Sequence, residues 1–170
     1  MSNSFNSYID NKKIDTVLLF LFKANEASID LLETIEKLPT YGKVEAFIFN
    51  VYLSKIFLKK INPYLFKEIQ NAYDATIIAS LEDWELNLKV PDITDFVNYR
   101  ASFFMDELEA MQMNENWLPS RLYYVFYENP LTNNPRPSMN FPNIVRFQFS
   151  FVEMMKSVKE SVEIIDSQIK

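Results

Sequence analysis

A helix that is apolar on every side is stable in water only when other elements surround it, and the stretch Lys43–Ile61, KVEAFIFNVYLSKIFLKKI, has that character. Twelve of its nineteen residues are apolar or aromatic, and they leave no polar face wider than Lys43, Asn50 and Ser54. The spacing therefore predicts an all-α fold: a single-domain bundle of five to six helices around a central buried helix at 43–61. Lys55, Lys59 and Lys60 crowd its last turns, where positive charge favours the negative end of the helix dipole.

At 170 residues the chain is long enough to bury a sizeable core without staples. Its single glycine, Gly42, argues against folds that spend glycine in turns and bulges. The absence of cysteine removes disulfides, thiolate metal sites and cysteine nucleophiles. Without histidine, the commonest general base and the commonest transition-metal ligand are missing as well. These gaps point away from catalysis, and no resident metal or cofactor is expected. A net charge of −6 opposes nucleic-acid phosphates and anionic membrane surfaces, so neither is expected as a partner. The opening MSNSFNSYIDNKK lacks a basic segment followed by an apolar run, and the expected location is cytoplasmic.

Along the chain, residues 1–12 are expected to be loose or disordered. Val17, Leu21, Ala24, Leu31, Ile35 and Leu38 make a helical seam over Asp15–Leu38, with Ala24 and Ser28 small enough for a close crossing. Pro39-Thr40-Tyr41-Gly42 reads as a short turn into the central helix, giving a helical hairpin. Asn62-Pro63 reads as a cap and restart, with a helix to about Leu81 followed either by an extended link up to Pro91 or by a continuation of the helix to Leu88. Asp92 and Asp95 open a helix from about Ile93 to Met113, and a short aromatic helix follows over Pro119–Glu128. Asn129–Asn143, NPLTNNPRPSMNFPN, is too rich in proline for helix and is expected to be a long loop. Ile144–Ile169 makes the last helix, whose seam suits the first.

Carboxylates at i, i+3 spacing recur as Glu33/Glu36, Glu82/Glu85, Asp92/Asp95, Asp106/Glu109 and Glu160/Glu163. Such pairs place two oxygen donors on one helix face, the arrangement a Mg²⁺-dependent all-helical hydrolase of phosphorylated substrates would use. In so acidic a chain, solvated helix faces and caps account for the same pairs. A different chemistry surrounds the proline-rich loop. Arg121 beside Tyr123, Tyr124 and Tyr127, with Arg136, Met139 and Arg146, supplies the residue types from which protein-recognition surfaces are built. Consecutive aromatics cannot all bury against one neighbour, so either the loop folds back over them or they form a binding surface with it.

The reading that follows is a small acidic cytoplasmic protein acting by stoichiometric protein binding, as an adaptor, inhibitor, immunity or chaperone-like module. Arg121, Tyr123, Tyr124, Tyr127, Arg136, Met139 and Arg146 are its expected contact residues. Two alternatives stand beside it: the Mg²⁺-dependent hydrolase, and a binder of an apolar small molecule between helices, which requires a cavity. A four-three seam also permits a homodimer, since it does not say whether its partner lies in the same chain.

Overall fold

The computed structural model describes residues 11–83 and 93–169. Among these residues six helices follow one another: α1 (Asn11–Ile29), α2 (Thr40–Ile61), α3 (Pro63–Asp83), α4 (Ile93–Met113), the single turn α5 (Ser120–Tyr123) and α6 (Phe141–Ile169). The protein is an all-α bundle, with no strand among the described residues.

α2 holds the centre, in contact with α1, α3, α4, α6 and the segment after α5. Its apolar surface faces neighbours in several directions at once. Phe49 shows this best: its ring meets Phe104 of α4 at 5.1 Å, Phe126 at 6.3 Å and Phe151 of α6 at 5.2 Å, mostly edge to face. The first and last helices pack on each other as their seams predict, burying Val17 and Leu21 of α1 and Phe151, Val158 and Val162 of α6.

The first helix is shorter than its seam. The sequence predicts Asp15–Leu38, but α1 ends at Ile29 and is followed by a tight turn over Leu32–Thr34. Buried polar groups account for the early stop. The Asn25 carbonyl accepts from Ser28 Oγ at 2.9 Å and from Asn50 Nδ2 of α2 at 3.2 Å. Further on, the Leu32 carbonyl accepts from the Tyr127 hydroxyl at 2.6 Å as well as from the Ile35 amide at 3.2 Å. Side-chain donors from elsewhere in the fold thus satisfy carbonyls that would otherwise bind amides one turn on, and the helix need not continue.

α2 starts at Thr40, so Gly42 lies inside its first turn and not in the preceding connection. The reason for glycine is proximity. A Cβ built on Gly42 would sit 2.0 Å from the Phe126 carbonyl oxygen. At the other end, Asn62 Oδ1 accepts from the Leu65 amide at 3.0 Å, the cap expected ahead of Pro63. The extended link read between Leu81 and Pro91 falls almost entirely outside the described residues, as do Asp92 and residues 1–10. α4 matches its predicted span, and α6 begins three residues before the predicted Ile144, with Pro142 in its first turn.

Candidate functional site

The proline- and asparagine-rich loop, observed between Asn129 and α6, is anchored on charge buried in the core. Glu45 of α2 and Arg100 of α4 both have 0% side-chain exposure, and Arg100 Nε donates to Glu45 Oε2 at 2.8 Å. Among the described residues, the pair's other hydrogen bonds run to the loop backbone. The Leu131 amide donates to Glu45 Oε1 at 2.8 Å, and Arg100 Nη1 donates to the Thr132 carbonyl at 2.9 Å. Leu131 is held at φ 62°, a left-handed conformation costly for a branched side chain and sustained here by the surrounding bonds. Rings of Phe103 and Phe104 lie 5.0 and 5.6 Å from the guanidinium carbon, completing its apolar enclosure. Burial pushes the Glu45 carboxyl above the usual range, and Arg100 with the Leu131 amide only partly restores it.

Further ties hold the loop along its length. The Tyr99 hydroxyl donates to the Asn133 carbonyl at 2.9 Å, and the Arg136 guanidinium lies 5.2 Å over the Tyr124 ring. The Ser138 amide donates to the Ser120 carbonyl at 3.1 Å, while its hydroxyl donates to Glu128. These bonds fix the backbone on which Met139 is carried.

The aromatic segment divides between core and surface. Tyr123, Tyr124, Val125 and Phe126 are buried, and Tyr127 is half-buried. After one α-helical turn the chain widens, so that the Asn129 amide donates to the Tyr124 carbonyl, five residues back, at 2.8 Å. The wider turn changes the direction of successive side chains and brings rings to α2, α6 and the loop at once. Tyr123 and Tyr127 stack at 4.8 Å, and Phe147 of α6 meets both edge-on. The Tyr123 hydroxyl donates to Glu36 and accepts from Asn143 at 3.1 Å; burial, reinforced by that carboxylate, pushes its phenol up to about 12.

Of the contact residues expected from the sequence, then, Tyr123 and Tyr124 serve the core and Tyr127 is mostly enclosed. Arg121 pairs with the largely buried Glu107 at 2.7 Å and lies 5.1 Å over the Phe103 ring. Arg136, Met139 and Arg146 are exposed. What sequence reading missed is the apolar face beside them. Met139 is 93% exposed, Phe141 60% and Phe149 72%. On α6, Phe141, Val145, Phe149 and Val152 recur at spacings of four, four and three, which places them within one stripe of the outer surface. The same face carries Lys156, Lys159 and Glu163 further along, so its apolar character is confined to the helix's first half. The signal was legible: α6 has apolar residues outside its own seam, which a helix with a single buried face does not need.

Three of the paired carboxylates have partners of their own. Glu33 pairs with Lys43 at 2.9 Å, Glu36 receives Tyr123, and Glu163 pairs with Lys159 at 3.2 Å. Glu85 and Asp92 lie outside the described residues, as does the side chain of Glu82. Among the described residues no three carboxylates gather as a metal site, and no helix is long and apolar enough to cross a membrane. Set against protein-family models, curated proteins and solved structures, the chain matches none.

Proposed function

We propose that this protein acts in the cytoplasm by stoichiometric protein binding, and that its contact surface is the first half of α6 together with Met139, bordered by Arg136 and Arg146. The observation that carries the reading is the stripe of Phe141, Val145, Phe149 and Val152, with two phenylalanines more than half exposed on the outside of the longest helix. Contiguous exposed apolar surface is costly in water and marks interaction sites. Met139 adds an adaptable apolar contact on a backbone already fixed by Ser138, so little ordering entropy is lost when a partner docks. The occupant this shape suits is an amphipathic helix laid alongside α6, its apolar face on the stripe and a carboxylate toward Arg146.

The test compares the tagged chain with its Phe149→Glu variant, captured from its native cells and weighed by native mass spectrometry, with hydrogen exchange on the isolated complex. The expected result is a heterocomplex of fixed stoichiometry that protects α6 amides 141–152 and is lost in the variant, whose circular dichroism is unchanged. A partner retained by Phe149→Glu would refute the surface. A dimer of this chain that dissociates in the variant would make the occupant a second copy, and the heterologous reading would fall.

A further inference from the structure

α3 and α4 both pack on α2 but touch one another far less than either touches α2. Splayed in this way, they leave a cleft of about 140 Å³ along the central helix. Its apolar walls are Ile48 and Val51 from α2, Ile77 from α3, and Val97 and Ala101 from α4, and Thr94 and Asn98 of α4 add polar groups to the lining. At one end, Lys55 Nζ and Asp74 Oδ1 close on each other at 2.6 Å.

We propose that this cleft is a binding site for a compact, neutral, apolar molecule of one or two rings. It lies away from the α6 stripe and does not depend on protein binding there. Size comes from the volume: cavities of roughly 150 Å³ lined by aliphatic side chains accept a benzene-sized guest. Neutrality comes from the rim. The only ion pair lining the cleft among the described residues, Lys55 with Asp74, satisfies itself at 2.6 Å, so a charged ligand would lose its hydration without gaining an uncompensated counter-charge. Shape comes from the walls. Branched aliphatic side chains on three sides present flat, non-directional contact of the kind a ring fills, and sites between helices of a bundle are a common place for such ligands. Tyr52, whose phenol burial pushes above its usual range, remains protonated at neutral pH and can donate to a polar atom on the guest's open edge.

The experiment is a titration of the ¹⁵N-labelled full chain with indole, followed by amide chemical shifts, with indole-3-carboxylate as the charged comparison. Saturable shifts at Ile48, Val51, Val97 and Ala101 are expected, with a dissociation constant below about 1 mM and the carboxylate at least tenfold weaker. Ala101→Phe fills the cleft and should weaken indole at least tenfold; Val97→Phe repeats the test from another wall if the first variant does not fold. Shifts confined to Phe141–Val152, absence of saturable shifts up to the solubility limit, or equal binding of the carboxylate would each overturn the proposal.

Discussion

Replacing Glu45 by glutamine keeps the side chain's shape and its acceptor for the Leu131 amide while removing the charge that faces Arg100. The structure sets the size of the effect. Both side chains are fully enclosed, and among the described residues Arg100 Nη2 already lacks a hydrogen-bond partner and the guanidinium has no second carboxylate, so the variant leaves its charge unpaired there. Two unit charges about 4 Å apart interact by about 4 kcal/mol at an effective dielectric of about 20, and breaking buried pairs typically costs about 3–5 kcal/mol. A loss of about 3–4 kcal/mol is therefore expected in urea unfolding, out of the roughly 5–15 kcal/mol that holds a domain folded. Arg100→Met should cost a similar amount. The double variant should cost no more than about 4 kcal/mol, because neither charge is then left alone; the coupling is at least about 2–4 kcal/mol.

The loop gives a second reading of the same pair. Hydrogen exchange should show amides 129–138 losing protection in Glu45→Gln, since the loop is latched to this carboxylate. Single variants whose costs sum to that of the double within about 0.5 kcal/mol would refute the coupling and reduce the pair to two independent buried groups.

Gly42→Ala drives a methyl group into the Phe126 carbonyl, 2.0 Å from the Cβ position, and should cost about 1–3 kcal/mol, read as a fall in Tm of roughly 3–10 °C; an unchanged Tm would mean α2 does not approach this turn so closely. Asn25→Ala strips the Ser54 hydroxyl of its 2.9 Å acceptor and the Tyr73 hydroxyl of its donor within the core, for about 2–3 kcal/mol by urea unfolding; a loss under about 0.5 kcal/mol would show that water already serves these groups. With its phenol pushed up to about 12, Tyr123 should stay protonated in ultraviolet titration to pH 11, and stability should fall as pH rises from about 10 toward that value; Glu36→Gln should lower the titration midpoint, and an unmoved midpoint would break the link to that carboxylate.

Local features of the chain were enough to specify much of this architecture. All-round apolarity fixed the centre at α2, because no other arrangement satisfies a helix without a wet face. The Asn62 cap, Pro63 and the breaker Asn114 set helix limits through backbone chemistry alone. The prolines of 129–143 excluded helix wherever their missing amides would have been needed. Where sequence reading failed, a distant group had intervened. The seam to Leu38 was real, since Leu38 is buried, yet Asn50 and Tyr127 supplied donors that let α1 stop at Ile29. Tyr123, Tyr124 and Tyr127 looked available for a partner because a regular helix could not enclose them, and a widened turn did so. Gly42 looked like a turn residue until the Phe126 carbonyl came against it.

The sequence by itself determined the class, the centre and the absence of the residue types that most often carry catalysis, since these follow from composition and from periodicities within one helix. Only the tertiary structure decided that Glu45 and Arg100 meet, that their charges strap the loop down, that α6 keeps Phe141 and Phe149 outside, and that α3 and α4 part over α2. Each of these depends on residues far apart in the chain reaching the same few ångströms. No local pattern encodes that distance, because the energy that sets it is shared among many packed side chains.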